Sequence, residues 1–316
     1  MKFLVVGHVC YDIFHPPDGG SPKGPDGIRV DREVERYGGI YNSLATLAVL
    51  LEQTDRVLPV FGVNKSEYSS LMSHLAQFPN VDPSGIFASD EPTNRVHHFY
   101  ADSGPRIECS QDIARPIPFQ RIGRFLSVDG IIINMVSGFD LTVDTLDQIR
   151  MEVRSERIPI VFDYHNLTLG VNQKNERYRR PLEDWRRMAF MIDILQLNEE
   201  EIAGLTAERL TEQQTVGHLL TLGGKGVLVT RGKQGATLFY NEHKRVVRKD
   251  IEGIHAENAQ HMHGCGDVFG AAFMLHYVKT ADMLAAAQFA NRTAATTTTL
   301  PDLFRGTATA LGGTLR

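Results

Sequence analysis

Cysteine is scarce in this sequence: Cys10, Cys109 and Cys265 are the only three, with no CxxC pair and no Cys/His spacing of the zinc type. Neither a disulfide framework nor a structural zinc site is expected, and a reducing compartment, the cytoplasm, fits best. Long apolar runs are missing as well. The longest, GIIINMV at 130–136, falls far short of the roughly 20 residues that a membrane helix needs. The opening MKFLVVGHVCYD is broken by Gly7, His8 and Asp12 before a signal-peptide core develops, so a first β-strand is expected there. Charge of one sign is not in excess. The 33 Lys and Arg stand against 38 Asp and Glu, a net charge of −5, which argues against a protein whose main work is coating nucleic acid or an anionic membrane. Internal repeats are absent, and the one low-complexity patch is the Thr run at 296–299.

What is present describes a soluble α/β protein. Its 316 residues, 42% of them hydrophobic, suffice to bury a substantial core. Strand-like runs at 2–7, 57–63, 129–136, 159–163, 193–198 and 225–230 are near-continuous in Val, Ile and Leu, as buried parallel strands covered on both faces must be. Between them Ile40, Leu44, Leu47, Ala48 and Leu51 lay an apolar stripe along a helix after Gly39, and VDTLDQIRMEV and EEEIAGL predict further helices. The alternation predicts a mostly parallel sheet with ligands at the carboxyl ends of its strands. Two segments break it. Residues 12–37, rich in Pro, Gly and charge, and 93–112, a hairpin around Asp102-Ser103-Gly104-Pro105, are expected to form a small lid, or else surface loops.

The most informative stretch is HMHGCGDVFGAAFMLHYV at 261–278. Gly264, Cys265 and Gly266 lead straight into an apolar helix, so their backbone N–H groups would form an anion cradle at its positive end. Asp267 stands in the first turn. Beside a bound phosphate it could take a proton from an incoming hydroxyl; the alternative is a plain turn and helix cap. Gly264, Gly266 and Gly270 also form a loose GxGxxxG, but the preceding NAQHMH is no apolar strand, which fits a dinucleotide loop poorly. Near the start, the glycine pair Gly38-Gly39 would let backbone approach a polyol, and the Asn42 amide can donate to and accept from hydroxyls. Asn198 and Glu201 in LNEEEI have the spacing of a capping box.

In GCGDVFGAAF the sequence resembles the ribokinase-like carbohydrate kinases, the phosphofructokinase B family, whose Gly-Ala-Gly-Asp loop opens a helix of small residues; here Cys265 takes the alanine position. Further matches fall in the family's order: VVGHVCYD at 5–12, YGGIYNSLATLAVL at 37–50, LNEEEI at 197–202, VTRGKQGATLF at 229–239 and AAAQFANRTAA at 285–295. The resemblance implies one kinase domain over 1–316, a three-layer sandwich with a mostly parallel central sheet and a small β lid. It implies Asp267 as base, the Gly264, Cys265 and Gly266 loop on the transferring phosphate, and Asp12, Gly38, Gly39 and Asn42 on the acceptor. Asn198 and Glu201 would hold Mg2+ through water, Thr230, Gly232 and Gly235 would meet the ATP phosphates and ribose, and Asn291 would lie near the adenine. The implied activity is transfer of the ATP γ-phosphate to a hydroxymethyl group of a sugar or related small molecule. A nucleoside acceptor, with His97, His98, Phe99 and Tyr100 stacking on the base, and a non-catalytic sugar or nucleotide sensor stay open. A homodimer joined through the lid is a further expectation, while neither nucleic acid nor membrane is expected as a partner. Two departures from the family pattern stand out: Met262 and His263 where Thr is usual, and Asp163-Tyr164-His165 in place of Asp-x-Asn.

Overall fold

The structure is a computed structural model that describes residues 1–15, 33–99, 107–256, 259 and 263–299. The Asp102-Ser103-Gly104-Pro105 tip, with Tyr100 and Arg106, lies outside the described residues, as does most of 12–37.

The chain begins with β1 (Lys2–Val6) and at once leaves the main sheet for two lid strands, β2 (Val9–His15) and β3 (Val34–Gly39). It returns through α1 (Ile40–Leu50), β4 (Arg56–Asn64), α2 (Lys65–Leu75) and β5 (Ile86–Ser89), then revisits the lid with β6 (Asn94–Phe99) and β7 (Ile107–Gln111). After a short α3 (Phe119–Ile122) come β8 (Gly130–Asn134), α4 (Val143–Val153) and β9 (Ile160–Asp163). A small hairpin, β10 (Leu169–Val171) with β11 (Arg177–Arg179), precedes α5 (Trp185–Phe190), β12 (Ile194–Asn198), α6 (Glu199–Ala203), α7 (Glu212–Thr221) and β13 (Gly226–Thr230). An edge hairpin, β14 (Gly235–Glu242) and β15 (Arg245–Glu252), leads to α8 (Cys265–Thr280) and α9 (Met283–Thr297).

The main sheet runs β15-β14-β13-β12-β9-β8-β1-β4-β5, parallel except for the antiparallel edge pairs made by β14 and β15. Helices lie on both of its sides, so the expected α/β fold with a mostly parallel sheet and a small β lid is present. The reason is in the residues. Leu4, Val5, Val6, Ile131, Ile132, Ile133, Val161 and Phe162 are all buried in the three central strands β1, β8 and β9, which leaves no face for water and requires helix cover on each side. α1, α8 and α9 pack together, α8 against β8 and β9. No helix of the described residues is long and apolar enough to cross a membrane.

The lid is a separate four-stranded sheet, β3-β2-β6-β7, in which β2 and β6 are parallel. It starts at Val9, earlier than the expected 12, because the strand carrying Asp12 is already lid. The sequence reading also missed β10–β11 and β15. Their charged, exposed residues carry no apolar period. EEEIAGL yields a single turn of helix that stops at Gly204.

Asp193, at the mouth of β12, fastens the parallel sheet. Its carboxylate accepts from both Arg150 guanidinium nitrogens at 2.9 and 3.1 Å and from the Ile160 N–H at 2.9 Å, and Lys225 Nζ lies 2.9 Å away. Burial alone would raise this carboxyl; Arg150 and Lys225 outweigh it and hold it below its ordinary value. A depressed carboxyl contributes stability that is present above its unfolded pKa and lost as pH falls through the folded one. Asp193→Asn is therefore expected to cost about 2 kcal/mol at neutral pH in urea unfolding. The loss should fade toward acid, where wild type loses the same charge. A variant as stable as wild type at neutral pH would show that the cluster contributes nothing.

Candidate active site

The site is built where β1, β8, β9, β12 and β13 end. Gly264 caps α8 in a left-handed conformation, φ 78°, and no side chain accepts from the first turn of the helix. A Cβ on Gly264 would sit 2.6 Å from Asn42 Nδ2, so only glycine lets this loop lie against α1. The N-terminal N–H groups of a 16-residue helix are thus left for a ligand, with the helix dipole behind them. Gln196, on β12, steadies the turn: its Nε2 donates to Gly266 O at 2.8 Å.

Asp267 is buried. Its Oδ2 accepts from Asn42 Nδ2 at 2.8 Å and its Oδ1 from Asn134 Nδ2 at 2.5 Å. Burial pushes the carboxyl above its ordinary value, against the pull of His165, the two amides and His263. That is the environment of a proton acceptor rather than of a passive ion-pair member. Cys265, in the family's alanine position, is a protonated thiol: burial and Asp267 raise it to about 12.

Across the pocket Asp12 projects from the middle of β2. His98 Nε2 lies 2.9 Å from its Oδ1 and His263 Nε2 2.8 Å from its Oδ2. Burial alone would raise Asp12, but the two imidazoles, His263 first, hold it well below the usual carboxylate range. Gly38 faces it from β3, too close for any side chain. Gly39, with φ 62°, turns the chain into α1. His263 acts electrostatically on both Asp12 and Asp267, which sets the lid carboxylate and the Gly264–Asp267 loop near one another.

Where β12 ends, Asn198 and Glu201 do form the capping box. The Glu201 N–H donates to Asn198 Oδ1, and Glu201 accepts from the Asn198 N–H and Nδ2, each at 2.8 Å. Thr230 pairs with Asn198 across β12 and β13. Gly232 and Gly235, with φ of 54° and 95°, shape the turn that follows, and Gly232 has open space where a Cβ would stand. Asn291 stands apart on α9, its Nδ2 donating to Glu252 O at 2.9 Å.

Sequence reading missed Asn134 and Gln196, each a lone polar residue in an apolar strand, which is the signal that could have found them. It also missed the roles of His98 and His165. His97 and Phe99, proposed to stack on a nucleobase, point to the other face of β6, where both stack on His15 at 5.1 and 4.4 Å. Of the described residues of that set, only His98 turns inward, and Tyr100 lies outside the described residues.

Residues 169–303 match the family model for pfkB family carbohydrate kinases. Comparison with curated protein sequences gives no match. Among solved structures, a pyrophosphate-dependent kinase in the ribokinase family, seen as a sulfate complex, superimposes with a TM-score of 0.74 over 96% of this chain and 98% of that one, at 16% identity. Ribokinase of Arabidopsis thaliana, in complex with ribose and ATP, gives 0.71 over 95% and 93% at 19% identity. A nucleoside kinase of Burkholderia thailandensis, in complex with inosine, gives 0.72 over 99% and 97% at 15% identity. At these identities the likeness is one of fold. The matched segment holds Asn198, Glu201, the β13–β14 turn and the Gly264–Asp267 loop, so this part of the chain resembles the pfkB family carbohydrate kinases while the whole chain shares the ribokinase-like fold.

Proposed function

We propose that the protein transfers the γ-phosphate of ATP to a hydroxymethyl group of a sugar or related polyol, with Asp267 as general base. The observation that carries this reading is the placing of Asp267: a buried carboxyl with a raised pKa, fixed by Asn42 and Asn134 in the uncapped first turn of α8. In phosphoryl transfer the protein chiefly positions its reactants and stabilises charge. Asp12 accepts a hydrogen bond from an acceptor hydroxyl, while Gly38 and Gly39 leave room for the polyol. Asp267 takes the proton of the attacking hydroxyl. The Gly264, Cys265 and Gly266 loop, with the Asp267 N–H, stabilises the charge on the transferring group. Thr230, Gly232 and Gly235 border the donor phosphates and ribose, and Asn291 the adenine end.

The donor side also suits Mg2+. Asp163, Glu201 and Asp267 are buried carboxyls raised chiefly by burial, with the His165 imidazole pulling all three down. A hard cation that keeps its water fits such a set. Glu201 and Asn198 would hold it through water, and it would neutralise charge on the donor phosphates. Glu201→Gln is therefore expected to raise the Mg2+ concentration needed for half-maximal turnover, with acceptor KM unchanged; an unaltered Mg2+ dependence would remove Glu201 from that role.

The test is ATP turnover against ribose, fructose, fructose 6-phosphate, inositol, adenosine, inosine and cytidine. Pyrophosphate is also offered as donor, because one solved relative by fold is pyrophosphate-dependent. Turnover of a sugar or polyol with ATP supports the reading. Turnover of nucleosides alone moves the acceptor class, and ATP binding without any turnover moves the protein to a sensor.

The pH profile gives a second check. Asp267 acts as a base only when ionised, so kcat/KM falls as pH falls through its pKa. Because burial raises that pKa, the acid limb should lie above the ordinary carboxylate value of 3.8. With Asp163 and Glu201 so near, the limb reports the cluster. An acid limb at or below the ordinary value would count against Asp267 as base.

A further inference from the structure

Asp12, His98 and His263 come from three elements that meet only in the fold: β2, β6 and the loop entering α8. One donor atom from each lies within 4.8 Å of the other two. Both rings turn the same nitrogen, Nε2, toward a single carboxylate, at 2.9 and 2.8 Å. Phe14 holds the pair, stacking on His98 with ring centroids 4.7 Å apart and meeting His263 edge-on at 5.3 Å. Behind His98, Glu108 Oε1 lies 3.8 Å from Nδ1, too far for a hydrogen bond here but on the side from which a carboxylate would orient a ligating imidazole. His98 and Asp12 are buried, while His263 is half-buried and gives access from the pocket.

Two imidazoles and one carboxylate form the donor set of a borderline transition ion, not of Mg2+, which prefers oxygen. With metal–ligand distances of about 2.0–2.2 Å, tetrahedral ligands stand roughly 3.3 Å apart. The present N···O separations of 2.8 and 2.9 Å need to open only slightly. On binding, each Nε2 must give up the proton that now faces Asp12: a neutral imidazole carries it on Nδ1 instead, and a charged one releases it to solvent.

We propose that Asp12, His98 and His263 form a site for a divalent transition-metal ion of the zinc type, and that its occupation closes the acceptor pocket. The magnesium expected at Glu201 uses none of these residues, and the proposed phosphoryl chemistry uses only Asp12, to hold the acceptor. The metal site stands on geometry alone; only the closure rests on the kinase reading, which places the acceptor at Asp12.

Zinc titrated into the full chain by calorimetry, in chelator-free buffer, should bind at one site. Cobalt in its place should give the visible bands of a four-coordinate ion. His263→Gln and His98→Gln should each weaken zinc by roughly 10²-fold or more, while the exposed control His243→Gln keeps wild-type affinity. Should His98→Gln fail to fold, His263→Gln at the pocket rim carries the comparison. Absence of zinc binding, or wild-type affinity in His263→Gln, overturns the metal site. In turnover assays zinc should raise the acceptor KM and leave the donor KM unchanged. Zinc that binds without moving the acceptor KM overturns the closure, and with it the placing of the acceptor at Asp12, but not the metal site.

Discussion

Asp267→Asn should lower kcat by roughly 10² to 10⁴-fold, the share a positioned general base supplies, without unfolding the protein. The exchange keeps size and shape and removes only the proton acceptor. Local hydrogen bonding can adapt. Asn134 now donates to Asp267 Oδ1 while its own Oδ1 is buried without a partner, so an amide flip lets it accept from the new amide. The stability sign also favours the variant. A carboxyl raised by burial contributes stability below its unfolded pKa and loses it as pH rises through the folded one. At neutral pH the charge of Asp267 therefore weighs against the apo fold, and the variant should melt no lower than wild type. Steady-state kinetics and a thermal melt together decide: near-normal turnover in a folded variant would sink the base assignment.

Gly38→Ala should raise the acceptor KM by roughly 10²-fold, on the 1.5–3 kcal/mol scale of a hydrogen bond to a charged group, and leave the donor KM in place. Gly38 pairs with Cys10 in the lid and does not have a positive φ, so alanine brings no backbone penalty. The effect is steric. Its Cβ would fall 1.7 Å from Asp12 Oδ2 and 2.7 Å from Asp12 Cγ. Asp12 must swing away, leaving both imidazoles and its acceptor-facing position. The buried carboxylate then lacks its partners, and a stability loss of about 1–3 kcal/mol should accompany the kinetic change. An unchanged acceptor KM would mean that Asp12 does not hold the acceptor.

Much of the frame was legible in the chain. The six apolar runs became β1, β4, β8, β9, β12 and β13 within a residue or two, because strands buried on both faces must be apolar at nearly every position. The Gly264–Asp267 turn was legible for a different reason: a glycine just before an apolar helix permits the left-handed turn that Gly264 adopts. The hairpin β10–β11 and strand β15 were not, since charged, half-exposed strands owe their pairing to neighbours far along the chain.

The sequence by itself determined the parallel sheet, the glycine loop and the capping box of Asn198 with Glu201, all local consequences of hydrophobic period, φ freedom and side-chain reach. Tertiary structure alone decided what surrounds the carboxyls of Asp12 and Asp267. Asp12 meets His98 and His263 across 86 and 251 residues, and Asp267 meets Asn42 and Asn134 across 225 and 133. No local pattern encodes such contacts, because strand order and register choose which side chains face one another. The same burial that brings them together then drives one carboxyl down and the other up. Two imidazoles face Asp12 and lower it, while burial raises Asp267 against the pull of His165, His263 and the two amides.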